Sequence, residues 1–286
     1  MTLIMCSAQR DFQFMVADRR ITIPATGALV DDWAYKILQY KNRRQGYEFL
    51  IGYTGLARLG AKSTMEWLTE SLPTVFDQGA DIYCAINAFP DECQRQLARI
   101  SSLQPAEKAL TLVLCGRYNR FGPDPRAPEY TPFAAVISNC TGQHARQTGY
   151  VTPEFRAYSK RLLRPKQPPI LLRYGDLRTA RQFAREFKQA FRLMRKPLSY
   201  KAKVDIAIAH IREIADTTNT VGANVLGAAL LQPGVSEAFD FPEDADIMTK
   251  TMPDVIYADG TQFTGFKVTP IDPDAAPRRN HDTNHH

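Results

Sequence analysis

Thr2 is where the chemistry of this chain starts, because it directly follows the initiator methionine. A small second residue is the kind that permits removal of Met1. Removal leaves the Thr2 hydroxyl and a free α-amine on one residue. An unperturbed α-amine titrates at about 7.7–8.0 and so serves as a base near neutral pH. A threonine hydroxyl becomes a useful nucleophile once a base takes its proton. One residue can therefore supply two parts of an acyl-transfer site, and Asp18 and Arg20 follow it in VADRRIT.

Positioning these groups falls to short strands. TLIMCSA and FQFMVAD read as two strands joined by a polar turn at Gln9, Arg10 and Asp11, a hairpin that folds Asp18 back beside Thr2. Residues 23–32 contain Pro24 and Gly27 and read as a loop. Residues 33–40 and 47–53 read as strands about the basic turn KNRRQG, with Lys36 on the first. An ammonium there would disfavour protonation of the α-amine and keep it available as a base. Gly55 is expected at a strand-to-helix junction, where its N–H could stabilise an oxyanion, a contact often worth a few kcal/mol. Each residue also has an ordinary reading: Met-Thr starts are common, a strand-ending Asp is usually solvated, and a Gly can serve only its turn.

Taken in order, however, Thr2, Ala17-Asp18, Arg20, Thr22, Lys36-Ile37 and Gly52-Tyr-Thr-Gly55-Leu-Ala57 make a set. The set resembles proteasome-type N-terminal-nucleophile hydrolases, in particular 20S β-subunits of the bacterial kind without a long propeptide. The resemblance is specific over the first sixty residues and thins afterwards. It implies an α+β fold, a four-layer αββα sandwich, and a threonine hydrolase that cleaves amide bonds of a peptide or protein substrate through an acyl-enzyme. It also implies roles: Thr2 as nucleophile, Lys36 shaping its electrostatics, Asp18 holding that lysine, and the Gly55 N–H as oxyanion donor, with Arg20 a secondary candidate. Ile21, Thr22, Tyr53 and Ala57 would line an apolar substrate pocket. Asp216 would complete the site, with Asn219 at the spacing where the family has Ser or Thr. The alternative for Asp216 and Asn219 is an Asx-type turn closing a helix. The family has a Gly-Ser-Gly-type turn where this chain has Tyr174-Gly175-Asp176, so Asp176 or Tyr174 stands in place of a supporting serine. The resemblance further implies a homo-oligomer, as a ring.

Further along, residues 55–72 and 81–103 have helical periodicity, the second interrupted by Pro90. Residues 109–117 and 133–138 are apolar and β-rich about a proline-rich loop at 122–132. Residues 153–203 hold fifteen Lys and Arg against three Asp and Glu, while the whole chain carries a formal net charge of +6. Within them, residues 178–196 read as an amphipathic helix with Phe183, Phe187, Ala190, Phe191 and Met194 on one stripe. The basic face suits a nucleic acid or acidic partner, but it equally suits a solvated helix face. That second reading is preferred, because no nucleic-acid motif accompanies the charge. Residues 203–215 read as a further helix, and Asp259-Gly260 as a hairpin turn between residues 255–258 and 263–268.

Composition is that of a globular protein: 286 residues, 44% hydrophobic and 23% charged. No apolar run approaches the ~20 residues of a membrane span, and no signal peptide is visible. Five cysteines without a C-x-x-C spacing read as reduced thiols of a cytoplasmic protein. His144 and His210 stand alone and the other three histidines lie in the polar tail, so no metal or other cofactor is expected. The expectation is one domain over 1–268, with 153–203 an atypical basic segment inside it, and a disordered tail over 269–286. The alternative is a catalytically inactive relative or binding protein, engaging an acidic partner or nucleic acid through 153–203.

Overall fold

The computed structural model describes residues 2–23, 26, 28–76, 81–104, 107–119, 129–141, 150–164, 166–175, 184–232, 235–242, 249–251, 255–257 and 262–263. The tail expected from 269 onward, the loop residues 120–128, Asp176, Phe183 and the Asp259-Gly260 turn lie outside these. In chain order the strands are β1 (Ile4–Ala8), β2 (Gln13–Asp18), β3 (Ile21–Thr22), β4 (Leu29–Asp31), β5 (Ile37–Asn42) and β6 (Tyr47–Gly55). They continue as β7 (Arg58–Leu59), β8 (Lys62–Ser63), β9 (Leu110–Asn119), β10 (Tyr130–Thr141), β11 (Tyr150–Arg161) and β12 (Ile170–Tyr174). The last are β13 (Val225–Gln232), β14 (Val235–Phe241), β15 (Thr249–Thr251), β16 (Val255–Tyr257) and β17 (Gln262–Phe263). The helices are α1 (Thr64–Phe76), α2 (Ile82–Ala98), α3 (Ala184–Met194) and α4 (Tyr200–Ala215).

Two sheets carry the fold. One is six-stranded in the order β12-β1-β2-β13-β14-β15, the other seven-stranded in the order β11-β10-β9-β6-β5-β16-β17. The expected hairpin is β1–β2, with Ile4 opposite Ala17. The chain composition fits which strands are central: IMCSA, QFMVAD and LTLVLCGRYN are mostly apolar and buried almost throughout, as strands covered on both faces must be. Alternation then sorts the side chains. Ile4, Cys6, Met15 and Ala17 of one sheet meet Ile37, Leu50, Val113, Cys115, Ala134 and Val136 of the other in one buried cluster. Phe49, Ile51 and Tyr53 point the other way and meet Trp67, Leu72, Phe76, Ile86 and Phe89 of α1 and α2. Leu3, Met5, Phe14 and Val16 meet Val204, Ala207, Ile208 and Ile211 of α4 and Met194 of α3. Each large apolar side chain so buried contributes about 1.5–3 kcal/mol.

Several boundaries differ from expectation. The helix expected from Gly55 begins at Thr64, because a two-stranded β7–β8 turn intervenes. The loop expected over residues 23–32 contains β4, which pairs back onto β3 with Ile21 facing Asp31. Residues 33–36 lie outside β5, so Lys36 precedes the strand instead of lying within it. Pro90 sits inside α2 without splitting it. The basic segment is not wholly helical: β11 is a sheet-edge strand, with Phe155 buried and Arg156, Tyr158 and Lys160 exposed. Among the described residues no helix is long and apolar enough to cross a membrane.

Candidate functional site

The site forms where β2 ends beside the chain's start. The Asp18 N–H donates to the Leu3 carbonyl at 3.2 Å, and the Leu3 N–H donates to Asp18 Oδ2 at 2.5 Å. Asp18 Oδ1 accepts the backbone N–H groups of Arg20 at 3.0 Å and Gly222 at 3.3 Å. Three amides therefore fix a carboxylate that is fully buried.

Lys36 reaches the same place from the segment before β5. Its Nζ donates to Thr2 Oγ1 at 2.6 Å, lies 3.4 Å from Asp18 Oδ1, and donates to the Arg20 carbonyl. Burial pushes the lysine below its ordinary range, opposed by the charge of Asp18. Burial also raises Asp18, opposed by Lys36 and the three amides. The result is an amine held against a hydroxyl beside a buried carboxylate.

The run up to Lys36 is tied down by two arginines. Arg19 bonds Asp240 of β14 at 2.8 Å and the Trp33 carbonyl at 2.5 Å, and stands 5.0 Å over the rings of both Trp33 and Tyr35. Arg20 makes a two-pronged pair with Asp32, both contacts 2.9 Å, and reaches the Val221 carbonyl at 3.4 Å. Bidentate pairs of this kind fix geometry as well as charge. Arg20 thus positions the backbone around Lys36.

Thr2 is itself held from two more sides. Thr54 Oγ1 donates to the Thr2 carbonyl at 2.9 Å. Gly175 lies so close that a Cβ there would sit 2.3 Å from the same carbonyl oxygen, at a φ of +150° that disfavours other residues. This explains a glycine at the turn after β12 even without the serine of the expected pattern. Asp176 falls outside the described residues. Tyr174 is buried opposite Ile4 and belongs to the cluster between the sheets.

Gly55 ends β6 with φ +103°, exposed. The Leu56 N–H bonds the Ala109 carbonyl at 2.8 Å. Ladder alternation therefore turns the Gly55 N–H away from β9, on the side where β5 has already ended at the Ile37–Gly52 pair. That N–H is a donor at the end of a strand, not at a helix start.

Of the expected pocket residues, Ile21 and Thr22 form β3, with Ile21 half-buried and Thr22 buried. Ala57 is half-buried, and its carbonyl accepts the Thr64 N–H at 2.9 Å. Tyr53 points into the helix-side cluster, on the face of β6 opposite Thr54. Asp216 and Asn219 lie at the end of α4. Asp216 caps α4 through its backbone, both side chains are exposed, and among the described residues neither joins Thr2 or Asp18. The loop after α4 meets the site instead through the backbone of Val221 and Gly222.

Sequence reasoning missed Thr54, Asp32 and Gly222. Thr54 was legible, since it lies two residues after Gly52 and so on the same strand face. Asp32 and Gly222 had no local signal, because a hairpin and a loop far along the chain deliver them.

No family model matches the sequence, and no curated protein matches it. Solved structures do share its fold. The Anbu (Gly-1) mutant from Hyphomicrobium sp. strain MC1 aligns with a TM-score of 0.54 at 12% identity, over 86% of this chain and 89% of that one. The Anbu complex from Pseudomonas aeruginosa, described as a helical assembly, gives 0.51 at 12% identity over 85% and 88%. Anbu from Yersinia bercovieri, described as an ancestral beta-subunit, gives 0.49 at 11% identity over 84% and 88%. These structures are Anbu proteins, proteasome-like relatives and not standard β-subunits, which corrects the expected likeness to 20S β-subunits. At such identity the likeness is one of fold.

Proposed function

We propose that this chain is an N-terminal threonine hydrolase that cleaves peptide amide bonds after loss of Met1. The observation that carries the reading is the 2.6 Å contact between Lys36 Nζ and Thr2 Oγ1, beside a carboxylate held by three amides. Thr2 Oγ attacks the amide carbonyl, and its proton passes to the freed Thr2 α-amine, directly or through a water. Lys36 lowers the cost of the alkoxide, Asp18 holds Lys36, and the Gly55 N–H receives the developing oxyanion. The C–N bond breaks, the amine leaves with the proton, and the acyl group stays as an ester on Thr2. Water then adds to the ester, the Thr2 C–O bond breaks, and a carboxylate departs with the hydroxyl restored. Ile21, Thr22 and Ala57 border the substrate side.

The same reading takes residues 1–268 as a single domain with a four-layer αββα sandwich. It is supported by the three apolar clusters that separate helices, sheet, sheet and helices. It also takes the chain to work as a homo-oligomer. A second reading, an inactive binding protein on the same fold, is favoured by one observation: the Asp216 and Asn219 side chains stand exposed. The test is hydrolysis of fluorogenic peptidyl amides by the wild-type chain and by Thr2→Ala. Turnover lost by at least ~10³-fold in the variant, with melting unchanged, supports the hydrolase. Equal turnover in both sinks the mechanism, and no turnover in either selects the inactive reading.

A further inference from the structure

At the end of β6 away from Thr2, Glu48 is gripped by Arg117, through Nε at 2.7 Å and through a shorter contact from Nη2. That guanidinium also donates to the Gln232 carbonyl and stands 5.6 Å over the Tyr130 ring. The other Glu48 oxygen receives the Gln39 amide at 3.4 Å and faces Lys41 Nζ at 3.8 Å. One carboxylate therefore serves two cations, and Arg117 has the closer share, both of its donors meeting Oε1. Lys41 is left with a long contact on a side chain only 12% exposed.

Lys41 opens into a cavity of about 210 Å³ lined also by Asn42, Arg43, Tyr47, Glu48 and Tyr130. Arg43 is exposed at its edge, 5.3 Å over the Tyr257 ring, and among the described residues it has no carboxylate partner. Asn42 and Tyr47 are committed to the wall, since both donate to the Phe76 carbonyl. The groups left to meet a ligand are cationic. Burial lowers Lys41 below the usual lysine range, and Arg43 and Arg117 add to that against the pull of Glu48.

The size narrows the ligand. The cavity is several times the ~30 Å³ share of one water yet below the ~300–1,000 Å³ of clefts that take drug-sized molecules. A nucleotide is too large, whereas a phosphate fits. A phosphoryl group carries about −1.5 to −2 charges near neutral pH, which matches two cations in excess over Glu48. We propose that this cavity binds a small free phosphoryl anion, orthophosphate or pyrophosphate, through Lys41 and Arg43, with Glu48 in its wall neutralised from behind by Arg117.

The experiment is titration calorimetry of the full chain with inorganic phosphate at fixed ionic strength set by chloride, with acetate as comparator. One saturable phosphate site is expected, weakened about tenfold by Lys41→Gln, weakened severalfold by Arg43→Gln and unchanged by Thr2→Ala. Arg43 is exposed, so its variant keeps the test open should Lys41→Gln fail to fold. No saturable binding above chloride overturns the proposal. So does phosphate binding that ignores the Arg43 substitution, or acetate bound as tightly as phosphate. Because the cavity lies at the other end of β6, such failure leaves the hydrolase reading untouched.

Discussion

The two ends of β6 each bury a cation against a carboxylate between the same two sheets, yet the cations do different work. At the Glu48 end, Arg117 takes one carboxylate oxygen through two donors, and its nearest partner is that carboxylate. At the Thr2 end, Lys36 stands 3.4 Å from Asp18 but 2.6 Å from the Thr2 hydroxyl. Asp18 fills its remaining capacity with backbone amides. A guanidinium fork suits the first task, because its geometry matches a carboxylate. A single ammonium suits the second, because it can be aimed at one oxygen and its proton affinity shifts with burial. Burial alone therefore does not mark a functional cation; the partner nearest to it does.

The sharpest way to break this comparison is to remove each cation. Lys36→Met and Arg117→Met each strand a buried carboxylate and should cost about 3–5 kcal/mol, read by urea unfolding. Peptidyl-amide turnover per folded molecule should fall at least ~10³-fold in Lys36→Met and stay within about threefold in Arg117→Met. Equal loss of turnover in both would erase the distinction.

A third buried basic group belongs to neither end and separates acid lability from site chemistry. His210 on α4 is pushed down to about 4, chiefly by burial and then by Arg173, with Glu186 opposing. It also lies 3.6 Å from Glu213 and 6.0 Å from the Phe187 ring. Unfolded, it titrates near 6.5, so between 6.5 and about 4 the unfolded chain binds more protons. Stability present above 6.5 is lost as pH falls through that window, by up to about 3 kcal/mol. His210→Leu should flatten this slope in pH-dependent unfolding and leave turnover at pH 7.5 unaltered.

Smaller effects sharpen the Thr2 end. Gly175→Ala should cost about 1–3 kcal/mol and, by displacing Thr2, cut turnover on the order of 10²-fold. Asp216→Ala and Asn219→Ala should change stability by under about 0.5 kcal/mol and leave kcat/KM within twofold. A large kcat effect from either would restore them to the site.

The sequence made the Thr2 end legible wherever the site is local. The β1–β2 hairpin, its turn and the placement of Asp18 follow from alternation and a polar break over eighteen residues. Lys36 was legible by order along the chain, not by its element, since it precedes β5 and is positioned by Arg19 and Arg20. The stretch from Gly52 to Ala57 does not read as one surface, because adjacent strand residues such as Tyr53 and Thr54 face opposite sides. The side chains of Asp216 and Asn219 were not legible either, because spacing after a helix does not say where the chain turns. Only the tertiary fold shows Gly222 reaching Asp18. The Glu48 end showed only the basic turn KNRRQG: Lys41, Glu48 and Arg117 come from three strands, and their meeting is a matter of register.

The most direct test of the central claim is intact mass after incubation with a peptide epoxyketone, which closes a ring on both the hydroxyl and the free amine of an N-terminal threonine. The account predicts a chain lacking Met1 and carrying one adduct, mapped to Thr2 and absent from Thr2→Ala. A chain that keeps Met1, or one that loses it and takes no adduct, would contradict it.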